Sequence, residues 1–145
     1  MTTNPRKILL VEDNPDDAEL ARLGLERHHL ASRLVLAADG AQALELLIGE
    51  HATEFAFVIL DLKLPKITGQ EVLKRVRADP RTKTLPVVIL TSSSEQEDQI
   101  ASYNNGANSY IRKPIDFDQF ADAVAQLGLY WAVLNEPSGP SPWFG

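Results

Sequence analysis

Two apolar runs in this chain end on carboxylates. Lys7-Ile8-Leu9-Leu10-Val11 leads into Glu12-Asp13, and Phe55-Ala56-Phe57-Val58-Ile59-Leu60 leads into Asp61. Runs of this length and β-branched content read as strands buried on both faces of a parallel sheet. Leu85-Pro86-Val87-Val88-Ile89-Leu90-Thr91 reads the same way. Two shorter runs, Arg33-Leu34-Val35-Leu36-Ala37 and Asn108-Ser109-Tyr110-Ile111, supply a second and a fifth strand.

Helical patterns fill the gaps between these runs. Asn14-Pro15-Asp16-Asp17 offers a cap, a first-turn proline and acids for the helix dipole. The helix it starts runs to about His28, with Ala18, Leu20, Ala21, Leu23 and Leu25 as apolar positions. Asp39 with Gln42 predicts a capping box for a helix that buries Leu44, Leu47 and Ile48 and stops at Gly49. A loop over 62–69 precedes a helix with Val72, Leu73 and Val76, ending near Asp79-Pro80. Ser94 with Glu97 predicts a second capping box, for a short and mostly polar helix toward Tyr103. Asn105-Gly106 is a turn. Asp116 and Gln119 open a last helix with Phe117, Phe120, Ala121, Val124 and Leu127 on one stripe. Five β/α units imply an α/β fold, a doubly wound five-stranded parallel sheet with helices on both faces.

Composition narrows the function classes. At 145 residues the chain has the usual size of one domain. It has no cysteine, which excludes disulfides, thiol nucleophiles and thiolate metal sites. No apolar run is long enough to span a membrane, and the N-terminus lacks a signal-peptide pattern, so the expectation is a soluble, cytoplasmic protein. A net charge of −6 argues against nucleic acid as a partner. The expected organisation is a domain over 1–134 with an extended last helix, then a Pro/Gly/Ser-rich tail over 135–145.

Ligands in open α/β sheets bind outside the carboxyl ends of strands. Glu12, Asp13 and Asp61 are therefore expected to gather at one edge. At ~5 Å and an effective dielectric near 20, each carboxylate pair repels by roughly 3 kcal/mol. A hard divalent metal with oxygen ligands, most simply Mg²⁺, relieves that repulsion. Thr91 and Lys113 close the fourth and fifth strands at the same edge. Acids, a hydroxyl and an ammonium suit phosphoryl transfer, in which one carboxylate acts as nucleophile.

The set Glu12-Asp13, Asp61, Leu64-Pro65 with Gly69, Thr91, Tyr110 and Lys113-Pro114 resembles the receiver domain of two-component response regulators, over about Lys7 to Leu127. The resemblance implies a flavodoxin-like strand order 2-1-3-4-5 and phosphorylation of Asp61 by a histidine kinase. It implies Mg²⁺ on Glu12, Asp13, Asp61 and the backbone carbonyl of Lys63, with Thr91 and Lys113 on the phosphoryl group. Tyr110 would be the rotating aromatic of the switch, and the Lys113-Pro114 bond cis. Such a protein is a phospho-acceptor that assists its own phosphoryl transfer and hydrolysis rather than an enzyme acting on others. Its output would be a change on the face formed by the fourth helix, fifth strand and last helix. Val11 to Asp17, Asp61 to Lys66, Gly106 to Ile111 and Leu127 to Trp131 further resemble the single-domain regulators paired with bacterial phytochromes, which implies a phytochrome as the kinase.

Other readings fit less well. A phosphatase using an aspartyl nucleophile wants a second acid two residues on, where Lys63 stands. A flavodoxin-like binding module wants a phosphate-cradling loop after the first strand, where Glu12-Asp13 would repel a phosphate. His28, His29 and His51 read as surface groups at helix ends or loops, and Arg75, Arg77 and Arg81 as a solvated helix face. Leu127, Leu129, Tyr130, Trp131, Val133 and Leu134 make the chain apolar nearly all round, which predicts a homodimer through the last helix and the C-terminal extension.

Overall fold

The computed structural model describes residues 6–27, 33–49, 54–92, 95–113, 116, 118–120 and 122. The elements alternate as β1 (Lys7–Val11), α1 (Pro15–Glu26), β2 (Leu34–Ala37), α2 (Gly40–Ile48), β3 (Phe55–Leu60), α3 (Gly69–Ala78), β4 (Val87–Thr91), α4 (Gln96–Asn104) and β5 (Ser109–Arg112). All five strands pair in parallel in the order β2-β1-β3-β4-β5. That is the expected doubly wound sheet. β3 is buried along its whole length because it lies at the centre with helices over both faces.

Alternate strand residues feed two cores. Leu9, Val11, Val58, Leu60, Val87 and Ile89 pack with Leu44 and Leu47 of α2 and Val72, Leu73 and Val76 of α3. Ile8, Leu10, Phe57, Ile59, Val88 and Leu90 pack with Ala21 and Leu25 of α1 and with Phe120. Phe120 sits where the last helix begins, its N–H bonded to the carbonyl of Asp116 at 2.9 Å while Asp116 Oδ1 accepts from Gln119 N–H at 3.0 Å. Gly24 makes room for it: a Cβ there would lie 2.4 Å from the Phe120 ring.

Several caps form as the sequence suggests. Asn14 Oδ1 accepts from the N–H groups of Asp16 and Asp17, with Pro15 as first helical residue. Asp39 Oδ1 accepts from Gln42 N–H at 2.8 Å. The Gln42 side chain departs from the reciprocal box, since it accepts from Ala38 N–H, one residue outside the cap.

Four expectations need correction. Leu23 is exposed, because α1 turns Ala21, Gly24 and Leu25 inward instead. α3 starts at Gly69, capped by Thr68, whose Oγ1 accepts from Glu71 N–H at 3.3 Å. α4 starts at Gln96 with Glu95 at its cap and no side-chain capping bond, so Glu97 falls at the second helical position and cannot complete a box with Ser94. Arg77 is not part of a solvated face, whereas Arg75 and Arg81 are exposed as expected. Arg77 is half-buried and donates to the carbonyls of Leu85 at 2.6 Å and Gly106 at 2.6 Å and to Asn108 Oδ1 at 3.1 Å. Arg81 donates to the Ile48 and Gly49 carbonyls and so supplies the cation that the last turn of α2 lacks. Burial holds the Arg77 guanidinium below its usual pKa.

The three histidines, Ser94, Pro114, Phe117, Ala121, Val124, Leu127, Tyr130, Trp131, Leu134 and the tail lie outside the described residues, and with them most of the expected last helix. No described helix is long and apolar enough to cross a membrane.

Candidate functional site at the carboxyl edge of the sheet

The parallel register brings the acids together. Val11 pairs with Leu60, and the Asp61 N–H donates to the Val11 carbonyl at 3.0 Å. The Glu12 N–H donates to the Ala37 carbonyl at 3.0 Å, which carries β1 one residue further toward the site. Glu12, Asp13 and Asp61 each bring a carboxylate oxygen within 4.8 Å of the other two. Glu12 and Asp61 are buried and Asp13 is exposed, so the trio opens to solvent on one side.

Lys113 completes the cluster from the end of β5. Its backbone N–H donates to the Thr91 carbonyl at 2.8 Å, which ties it to the end of β4. Its Nζ lies 3.2 Å from Asp61 Oδ2, 2.6 Å from Glu12 Oε1 and 2.9 Å from Asp17 Oδ2. Burial lowers the pKa of this ammonium, but Glu12, Asp17 and Asp61 outweigh that effect and the net direction is up. Thr91 is buried at the end of β4, one residue past the level of Asp61 in the sheet register.

Glu12 is the anomalous acid. Burial pushes its carboxyl up to about 7, and the Asp61 charge adds to the rise while Lys113 opposes it. Its Oε2 accepts from the Asn14 N–H at 3.2 Å. Its Oε1 meets the Lys113 ammonium at 2.6 Å, a charge-assisted contact on the buried side of the cluster. Three carboxylates with oxygens within 4.8 Å of one another, open to solvent at Asp13, are the kind of donor set a hard divalent cation takes. The residues present fit Mg²⁺.

The loop after β3 shapes the floor of the site. Asp61 Oδ1 accepts from the Lys63 N–H at 3.1 Å, while Oδ2 faces Lys113. Lys63 is exposed, and its backbone N–H is the group that meets Asp61. The chain reverses through a γ-turn at Lys66, with φ +67° and an Ile67 N–H to Pro65 carbonyl bond of 2.8 Å. Lys66 Nζ pairs with Asp39 Oδ2 at 3.3 Å and moors this loop to the start of α2.

Tyr110 is buried in the core shared with α2 and α3. Its ring therefore faces inward on β5, two residues before Arg112 and three before Lys113. All the side chains singled out in the sequence for chemistry thus lie at this edge or on the strands that lead to it.

Sequence reasoning missed two contributors. Asp17 reads in the sequence as a first-turn dipole partner, yet it reaches Lys113. Its place four residues after Asp13, one helical turn past the cap, was the available signal. Gln70 follows Gly69 and bonds α4 through three contacts: Nε2 to Ser102 Oγ at 2.9 Å, Nε2 to the Asp98 carbonyl at 3.2 Å, and Oε1 from Asn105 Nδ2 at 2.9 Å. Nothing local in the sequence signals a contact across 28–35 residues.

Comparison with known proteins agrees with this geometry. Residues 8–125 match the model of the response regulator receiver domain. Among solved structures, the bacteriophytochrome response regulator RtBRR is 46% identical with a TM-score of 0.75, over 95% of this chain and 87% of that one. The phosphorylated cyanobacterial phytochrome response regulator RcpA is 34% identical with a TM-score of 0.74, over 95% of this chain and 100% of that one. Among curated proteins, the probable methanogenesis regulatory protein FilR2 of Methanothrix harundinacea is 37% identical over 95% of this chain and 91% of its own. With the fold, the acid trio and the lysine in register, the chain belongs to the response regulator receiver domain family.

Proposed function

We propose that this chain accepts a phosphoryl group on Asp61 from the phosphohistidine of a histidine kinase, with Mg²⁺ held by Glu12, Asp13, Asp61 and the carbonyl of Lys63. The observation that carries the reading is the contact of Lys113 Nζ with Asp61 Oδ2 at 3.2 Å, beside two further acids within 4.8 Å. Lone acids at strand ends have many uses. An acid trio with a buried ammonium suits an incoming anion that needs charge neutralisation on several oxygens at once.

In the transfer, an Asp61 carboxylate oxygen attacks phosphorus. The new O–P bond forms as the P–N bond of the phosphohistidine breaks, and the electron pair leaves on the imidazole nitrogen. The Lys63 N–H holds the other carboxylate oxygen and so fixes the plane of the attacking group. The Lys113 ammonium neutralises a phosphoryl oxygen, and the Thr91 hydroxyl donates to another. Mg²⁺, when bound, neutralises charge on the acids and on the phosphoryl oxygens. The same groups assist attack by water on the aspartyl phosphate, so the chain acts on its own phosphate rather than on a separate substrate.

The proposed kinase is a bacterial phytochrome. The resemblance to regulators described as bacteriophytochrome response regulators supports this, at 46% identity over nearly the whole chain. The readout face is the surface of α4, β5 and the last helix, and the setting is the cytoplasm. A homodimer through Tyr130, Trp131 and Leu134 belongs to the same reading, because the apolar residues after Leu127 exceed what one sheet face can cover. Sedimentation of the full chain against a chain ending at Gly128 tests the dimer, and a monomeric full chain refutes it.

Incubation with acetyl phosphate and Mg²⁺, followed by intact mass, tests the acceptor. The wild-type chain gains one phosphoryl group and Asp61→Asn gains none. The same adduct on the variant, mapped to the site used by the wild type, overturns the assignment.

A further inference from the structure

The Lys113 ammonium has three N–H donors, and three carboxylates surround it. They come from three places: Glu12 just past β1, Asp17 in the first turn of α1, and Asp61 just past β3. Two of them, Glu12 and Asp61, also belong to the trio that fits a metal. A divalent cation on their oxygens weakens their hold on a neighbouring ammonium, because the two cations repel. A phosphoryl group on Asp61 takes up one of its oxygens as well. Asp17 stands outside the trio and faces neither loss. Its backbone is fixed in the first turn of α1, where Asn14 Oδ1 accepts from its N–H and Pro15 opens the helix.

We propose that Asp17 is a positioning residue for phosphoryl transfer to Asp61: it holds the Lys113 ammonium in place while metal and phosphoryl group claim the other two carboxylates. The inference rests on Asp61 being the acceptor. Lys113 has a flexible four-carbon stem and acts as a point charge. Without a fixed partner its ammonium samples positions away from the reacting oxygens, and a misplaced charge slows transfer without changing what the acids can bind. A purely local role for Asp17, as a first-turn acid on the α1 dipole, predicts something else: a small loss of stability and no selective loss of rate.

The test compares wild type, Asp17→Ala, Asp17→Asn and Lys113→Ala, alone and combined with Asp17→Ala. Phosphoryl uptake from acetyl phosphate is followed at saturating Mg²⁺, and the Mg²⁺ dissociation constant is measured by calorimetry. Asp17→Ala should lower the uptake rate about three- to tenfold and leave the Mg²⁺ constant within about twofold. Asp17→Asn keeps an acceptor oxygen and should recover a large part of the rate. In metal-free thermal melts, Asp17→Ala and Lys113→Ala should be non-additive, which reads the ion pair without any transfer. An unchanged rate in Asp17→Ala overturns the proposal, as does a Mg²⁺ constant that weakens as much as the rate falls, an Asn variant as slow as Ala, or additive melts. A wild-type chain that takes up no phosphate on Asp61 refutes the acceptor assignment instead.

Discussion

Gly69 lies so close to Asp61 that a Cβ at residue 69 would sit 2.3 Å from the Asp61 carbonyl oxygen and 2.6 Å from the Leu62 Cα. Both atoms are backbone and cannot swing aside. The Gly69 N–H donates to the Leu62 carbonyl at 3.0 Å, so the start of α3 is bonded to the segment that carries Asp61, the proposed acceptor. Gly69→Ala should destabilise the fold by about 1–3 kcal/mol, the usual cost of overpacking. It should also slow phosphoryl uptake, because either α3 or the Asp61 backbone must move. Urea denaturation and uptake from acetyl phosphate check this, and a variant with wild-type values for both would show that the contact is slack.

Glu12 predicts a pH dependence of unusual sign for a carboxylate. Unfolded, it titrates near 4.5; folded and metal-free, near 7. Between those values the folded form holds the extra proton. Stability from this group is therefore full below pH 4.5 and falls as pH rises toward 7, by up to about 3 kcal/mol. Mg²⁺ must displace that proton, so its stabilising effect should be larger at pH 7.5 than at pH 5. Denaturation of wild type and Glu12→Gln without metal isolates the term from the other acids. Identical pH slopes for the two proteins would rule it out.

Arg77 joins three segments that the sheet does not. Its guanidinium reaches the carbonyls of Lys83, Leu85 and Gly106 and the side chain of Asn108, and Asn108 Oδ1 in turn accepts from the Val87 N–H. Gly106 turns at φ +99°, a conformation that suits glycine, and this turn presents its carbonyl to the arginine. Arg77→Ala should cost about 2–4 kcal/mol, since part-buried carbonyls lose their donors. Arg77→Lys should recover less than half, because one ammonium cannot span a planar fork of acceptors. Equilibrium unfolding of both variants decides, and a cost below about 0.5 kcal/mol for Ala would mean that water replaces the arginine.

What could be read in the sequence followed from period and from strand ends. Apolar runs closing on Asp61 and Thr91 state both a strand and its edge, so the sheet and the acid trio are legible together. Caps at Asn14 and Asp39 are local chemistry and appear where the residues announce them. Long-range polar contacts are a different matter. Arg77 and Gln70 stand on α3 beside charged or polar neighbours that do remain outside, and only the fold brings acceptors to them. Asp17 shows the same limit at the site itself: its helix position was plain, but its contact with Lys113 depends on where β5 ends. The missing box at α4 has a physical reason too, since a helix that starts one residue later shifts every capping position with it.

α4 is held to the body by hydrogen bonds more than by apolar packing. Ser102 is its one buried residue, and Ile100 and Tyr103 are 52% and 47% exposed. Gln70 supplies the attachment through Ser102, Asp98 and Asn105, and it stands next to the glycine that touches Asp61. Three hydrogen bonds exposed to competition by water are together worth about 1–2 kcal/mol. Gln70→Ala should therefore raise amide exchange across residues 99–105 about tenfold and leave β1 and β3 unchanged. If phosphorylation of Asp61 acts by loosening this attachment, the exchange difference between phosphorylated and unmodified protein should shrink in the variant. Hydrogen exchange with mass analysis on all four samples measures both effects. Unaltered exchange in α4 of the variant would show that apolar contacts hold the helix after all, and an undiminished response to phosphorylation would mean that the signal reaches α4 by another route.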